Sequence, residues 1–122
     1  MGKSAPTGPR LRVVIEPDVA IGPGKADLLE AIRDTGSISA AGRKLGMSYR
    51  RAWLLVDELN QHLGAPVVEA QTGGAKGGGA ALTPTGEEVL SRYRNMESAC
   101  RLAIAADVTA LRALIRRNQR QK

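Results

Sequence analysis

Three helical segments follow one another between Lys25 and Gly64 with almost no chain between them, and a glycine closes each one. Lys25 to Thr35 sets Leu28, Leu29 and Ile32 on one helical face ahead of Gly36, a residue that adopts the left-handed conformation of a helix end at little cost. Ser39 is placed to cap a short second helix carrying Ala41 and Leu45, with Ile38 as a hydrophobic staple and Gly46 at the exit. Ser48 caps a third helix, Tyr49 to Leu63, in which Ala52, Leu55, Val56, Leu59 and Leu63 recur at helical spacing up to Gly64. The second and third segments, joined across Gly46-Met47-Ser48, have the length and the turn glycine of a helix-turn-helix.

The flanking sequence completes a recognisable order. Arg10 to Glu16 alternates Leu11, Val13 and Ile15 against Arg10, Arg12, Val14 and Glu16, which predicts a half-buried edge strand. Gly22-Pro23-Gly24 then predicts a turn. Pro66 to Gln71 and Ala80 to Thr83 predict a hairpin around a glycine-rich tip. Thr83 can cap a long last helix with Pro84 in its first turn and Glu87 and Glu88 at its positive end. Val89, Tyr93, Met96, Cys100 and Ala103 form one apolar seam, and Ile104, Val108, Leu111 and Ile115 form another in a shifted register, which predicts a kink or break near Ala105 to Asp107. The fold class expected is mainly α with a small β wing, a winged helix-turn-helix with a long C-terminal helix. Residues 1–9 read as a flexible leader, 10–100 as the domain, and 101–122 as a helical extension used for dimerisation or as a basic tail.

Composition narrows the function. One Cys and one His among 122 residues exclude an internal disulfide and a zinc site built from several such ligands. No nucleophile, base and orienting group can be named together, and neither His62 nor Cys100 has a visible catalytic partner, so an enzyme, a metal or a cofactor is not expected. Phe is absent, so the core must be aliphatic and the single Trp and two Tyr stand out. Trp53 reads as a core or phosphate-rim residue, and Cys100 as part of an apolar seam. No apolar run approaches the ~20 residues of a membrane span, and no export signal is visible, which predicts a cytoplasmic protein.

The formal charge of +6 and a pI near 10.1 point to a polyanionic partner. Arg50 and Arg51 share the first turn of the third helix with Ser48 and Tyr49, the part of a recognition helix that meets base edges. Arginine bonds guanine in a bidentate way, and hydroxyls bond phosphate. Arg43 and Lys44 on the preceding helix suit the flanking backbone, and Ser37 and Ser39 complete the expected DNA-contacting set. Five glycines between Gly73 and Gly79 bury nothing, but they let backbone approach phosphate closely, with Lys76 supplying charge at the tip. A nucleotide phosphate loop is excluded, because Gly79 and Ala80 stand where Lys and Ser/Thr are required.

Gly36-Ser37-Ile38-Ser39, Gly46-Met47-Ser48-Tyr49-Arg50-Arg51-Ala52-Trp53, Asn60-Gln61, Val68-Glu69, the stretch Thr72 to Gly79 and Leu82-Thr83-Pro84-Thr85-Gly86 together resemble the N-terminal DNA-binding domain of the ModE family of molybdate-responsive regulators. The helix-turn-helix is more distantly similar to that of LysR-type regulators. The resemblance covers about residues 22 to 100. It implies a dimeric regulator of molybdate uptake or molybdoenzyme genes, with Ser48, Tyr49, Arg50, Arg51 and the Lys76 wing against double-stranded DNA. Members of this family bind molybdate in a C-terminal pair of β-barrel domains, whereas this sequence stops at Lys122 after helical sequence. The implied relationship is to DNA-binding-only members, which leaves three modes open: constitutive binding to DNA, a signal taken from a separate molybdate-sensing protein, or competition with a full-length relative for sites. The expected dimer interface lies on the last helix at Val89, Tyr93, Met96, Ile104, Val108 and Leu111. The alternative is a protein interaction module that engages another regulator through that helix.

Overall fold

In the computed structural model, which describes residues 8–74 and 77–120, a short hairpin precedes the helices. Val13–Glu16 (β1) pairs antiparallel with Val19–Ile21 (β2) across a turn at Pro17 and Asp18, with an irregularity in register before Glu16. The expected strand is therefore shorter than Arg10 to Glu16, and its three-residue partner is an addition. Only Val13 of the expected inward set joins Ile21 at the core, while Ile15 is exposed.

The three helices form as their caps dictate. Pro23–Thr35 (α1) ends at Gly36, which has φ 71° and donates its N–H to Ile32 O at 2.8 Å. Ile38–Lys44 (α2) is capped by Ser37, whose Oγ accepts the Ala40 N–H at 3.0 Å. Ser39 is thus inside the first turn, and the cap lies two residues earlier than expected. The extended backbone of Ser37 lets Ile38 begin the helix and bury its side chain against the core. Tyr49–His62 (α3) is capped by Ser48 as expected, its Oγ accepting the Arg51 N–H at 3.1 Å. α2 and α3 approach most closely at Gly42, where an added Cβ would sit 3.3 Å from the Ala52 Cβ. Small residues at both points set this close crossing.

Val68–Gly74 (β3) and Gly77–Leu82 (β4) form the antiparallel wing, in register from Val68 opposite Leu82 to Gln71 opposite Gly79. The wing is tied down at its base. Ala80 N–H donates to Gly36 O at 2.8 Å, joining β4 to the α1–α2 junction, and Asn60 Oδ1 accepts the Val67 N–H at 2.8 Å from the end of α3. Thr83 accepts the Gly86 N–H at 3.0 Å as a cap and donates its hydroxyl to Pro66 O at 2.6 Å, so one side chain fixes both the wing's exit and the next helix.

That helix, Pro84–Arg120 (α4), is a single 37-residue element, roughly 55 Å long at about 1.5 Å per residue. The helix runs unbroken through Ala105 to Asp107, where a kink or break was expected. No proline or glycine interrupts residues 87–120, and alanines favour helix there, so a shift of apolar register need not break the backbone. Its start lies against Val67, where Gly86 leaves no room for a Cβ beside the Val67 carbonyl.

The core is aliphatic apart from Tyr93, and Leu28, Leu29, Ile32, Val56, Leu59 and Val67 are its largest other members. Tyr93 has no solvent exposure, and its hydroxyl donates to Leu11 O. It was expected at a dimer interface, but it is the domain's own keystone and is unavailable to a partner. The next residue, Arg94, reaches back to Asp27 and Glu30 of α1 at 2.9 and 3.1 Å and to Glu97 at 2.9 Å. Partial burial alone would weaken its charge, but hydrogen bonds to Glu97 and Asp27 and the nearby Glu30 carboxylate outweigh that and hold it firmly protonated. Beyond Tyr93 no residue of α4 is buried. Among the described residues no helix is long and apolar enough to cross a membrane.

Candidate nucleic-acid interface

α3 divides cleanly around its circumference. Ala52, Leu55, Val56 and Leu59 are buried, and the helical period then forces Arg50, Trp53, Leu54 and Asp57 to face away from the core. These four and Tyr49 line a shallow depression on the exposed side of the helix. Tyr49, Trp53 and Leu54 are 60%, 39% and 52% exposed. Trp53 is therefore not a core residue. The repeat that locates Ala52, Leu55, Val56 and Leu59 also contains the signal that excludes Trp53 and Leu54 from their face.

The expected contact residues separate onto three sides of this strip. Tyr49 and Trp53 continue into a hollow shared with Ser37, Ile38, Ser39 and the wing residues Ala70, Gly79 and Ala80, so α2, α3 and the wing converge here. Arg50 lies on the outward strip itself. Arg51 turns to the opposite flank and borders a recess with Arg12, Lys25 and Glu58, so the two arginines do not act side by side. Arg43 and Lys44 are exposed at the end of α2, with Arg43 donating to Ser39 Oγ at 3.0 Å. Lys76 lies outside the described residues.

The serines are largely committed to structure. Ser37 and Ser48 accept backbone N–H groups as caps, and Ser39 accepts from Arg43. Each hydroxyl still has a proton to donate, which is the role a phosphate oxygen would use.

The electrostatics favour an anion. Among the described residues Arg43, Lys44, Arg50 and Arg51 form no ion pair, in contrast with Lys25, which meets Glu58 at 2.9 Å. Hydrogen bonding to Lys25 and its charge pull the Glu58 carboxyl below its ordinary value, and Arg51 adds to this. Arg50 and Arg51 sit at the positive end of the α3 dipole, an arrangement mildly unfavourable in isolation and relieved by an external anion. Arg12 and Lys25 line the Arg51 flank, and Leu54 and Asp57 the strip, beside the residues of the expected set.

Comparison with known proteins agrees with this architecture. Residues 25–87 match the model of the bacterial regulatory helix-turn-helix proteins of the LysR family. The chain is 50% identical over 78 residues to the molybdenum-pterin-binding protein MopB of Rhodobacter capsulatus, covering 64% of this chain and 29% of MopB. It is 41% identical over 71 residues to the DNA-binding transcriptional dual regulator ModE of Escherichia coli K12, covering 58% of this chain and 27% of ModE. It therefore spans under a third of either relative's length. Among solved structures, the CbnR DBD–DNA complex superposes with a TM-score of 0.55 at 23% identity over 71% of this chain and 95% of that one, a likeness of fold.

Proposed function

The chain belongs to the LysR family of bacterial regulatory helix-turn-helix proteins, and from that premise we propose that it is a transcriptional regulator of the ModE type that reads duplex DNA with α3. One observation carries this reading: Arg50 on the outward strip of the helix that follows the turn, Arg51 on its flank, and Arg43 and Lys44 at the end of the preceding helix are four cations without acidic partners among the described residues. On this reading Arg50, at the N-terminal end of the strip, bonds a base edge, and Tyr49 meets the duplex beside it. Ser37, Ser39, Ser48, Arg43, Lys44 and Arg51 hold the backbone on either side, and the wing meets the neighbouring groove.

The link to molybdate transport or molybdenum metabolism rests on the similarity to MopB and ModE. In this proposal residues 8–120 supply DNA reading, and a molybdate signal is imposed from outside them, as by a separate sensing protein. Two copies act together. From Arg94 onward α4 has no buried residue, yet Ile104, Val108, Leu111 and Ile115 form a stripe at helical spacing that a second α4 would cover. Two-fold pairing doubles the contact area of a small module and fixes half-site spacing.

The test is binding of the purified chain to duplexes from upstream of molybdate-transport genes across a salt series, with and without molybdate. Specific binding that weakens steeply with salt is expected, and its absence even at low salt overturns the reading.

A further inference from the structure

The outward strip of α3 is unusually apolar for a surface that faces a polyanion. Between Arg50 and Asp57 its two central members are Trp53 and Leu54, 39% and 52% exposed, with Tyr49 against Trp53 on the near flank. Neither side chain belongs to the core face of α3, which other residues fill, and Trp53 borders the hollow between α2 and the wing. Leu54 offers no hydrogen bond at all, and the indole offers one donor only. Leu54 therefore cannot read the donor and acceptor pattern of any base, and Trp53 can give it at most one hydrogen bond. The major groove presents one apolar feature, the C5-methyl group of thymine.

We propose that Trp53 and Leu54 are specificity-determining residues that pack against thymine methyl groups in the major groove. The inference rests on the DNA-reading role of α3 proposed above and goes further by naming the base. Charge favours duplex DNA over an apolar peptide as the occupant of the strip, since Arg50 lies on it, Arg51 on its flank and Arg43 and Lys44 at the end of α2, all without acidic partners among the described residues. Length fixes how much is read. Tyr49 to Leu54 advances about 7.5 Å along the helix, close to two base steps of about 3.4 Å. Two neighbouring thymines per half-site are therefore expected beside the base that Arg50 bonds. Asp57 closes the far end of the strip and repels a phosphate there, which keeps the apolar pair over bases and not over the backbone.

The experiment enriches a bound sequence from a pool of randomised duplexes, then resynthesises that duplex with deoxyuridine in place of thymidine, which removes the methyl group and leaves every hydrogen bond intact. The unsubstituted protein is expected to bind the uridine duplex about fourfold more weakly for each methyl lost, roughly tenfold or more for two. Leu54→Ala and Trp53→Ala, both at exposed positions, are each expected to bring the thymidine-to-uridine ratio towards one while the protein stays folded and still binds. Equal affinity for the two duplexes overturns the proposal and leaves DNA reading intact. So does a ratio unchanged in both variants, because the methyl groups then act through duplex stiffness and not through this strip. An enriched sequence without thymine overturns it as well, and failure to enrich any duplex at low salt overturns the DNA-reading role with it.

Discussion

The rings of Tyr49 and Trp53 meet edge to face on the outer side of α3, with centroids 6.2 Å apart and planes inclined by 71°. Such a contact stabilises an exposed pair modestly, and here it orders the two largest side chains of the face before any partner arrives. Tyr49 leans towards the hollow bounded by α2 and the wing, while Trp53 joins that hollow to the outward strip. The pair is a hinge point between the two surfaces that duplex DNA would touch.

Because Trp53 is the single tryptophan, fluorescence excited selectively in the indole band, where tyrosine does not absorb, reports on this face alone. Titration with a bound duplex should shift the emission to shorter wavelength or quench it, saturating with the binding curve. An emission spectrum unmoved at saturation places the DNA elsewhere.

Arg50 and Arg51 should behave differently despite adjacency. Arg50 lies on the strip, so Arg50→Ala should lose about 1–3 kcal/mol of discrimination at one base position. Arg51 faces the flank with Arg12 and Lys25, so Arg51→Ala should weaken all sequences alike and lower the slope of log affinity against log salt by about 0.9. Salt titrations on a specific and a scrambled duplex distinguish them.

Two glycines in helix first turns should give opposite results. A Cβ at Gly86 overlaps the Val67 carbonyl, and neither backbone can swing aside. Gly86→Ala should therefore destabilise by about 1–3 kcal/mol or more. Gly24 of α1 meets nothing within 4 Å of a built Cβ, and Gly24→Ala should stabilise by up to about 1 kcal/mol. Chemical denaturation of the two variants reads the contrast.

Much of this arrangement was legible because its determinants are local. Ser48, Gly36, Gly64 and Thr83 act within one turn of the residues they cap, and the α3 period alone sorts its buried face. The misreadings involve partners distant in sequence or competition between neighbours. Ser37 and Ser39 are both good capping residues, and Ile38 decides between them by needing the core. Tyr93 reads as one more seam residue until Leu11, 82 positions away, supplies the acceptor that makes its burial affordable. β2 is three residues long and exists only because β1 lies beside it.

Acid should loosen the contact between α1 and α3. The Glu58 carboxyl is held below its ordinary value chiefly by the hydrogen bond and charge of Lys25. A carboxyl with a depressed folded value contributes stability above its unfolded value and loses it as pH falls through the folded one. Thermal melts of Glu58→Gln should therefore fall slightly below the unsubstituted protein near neutrality and converge with it at acid pH. The gap will be small, since the Glu58 side chain is 49% exposed.

Tyr93 and Leu111 test where the domain ends and association begins. The hydroxyl of the buried Tyr93 ring donates to Leu11 O at a partly buried site, so Tyr93→Phe should cost about 1 kcal/mol of folding stability by removing that bond. It should not alter the oligomeric state. Leu111 is 59% exposed on a stretch of α4 that supports nothing in its own domain, so Leu111→Asp should leave the unfolding midpoint of the domain nearly unchanged. Sedimentation should instead show a dimer giving way to monomer, and affinity for a two-half-site duplex should fall towards that for a single half-site. A Leu111→Asp protein that still sediments as a dimer moves the interface off the distal stripe of α4, and an unsubstituted protein that is monomeric at micromolar concentration and on DNA removes it altogether.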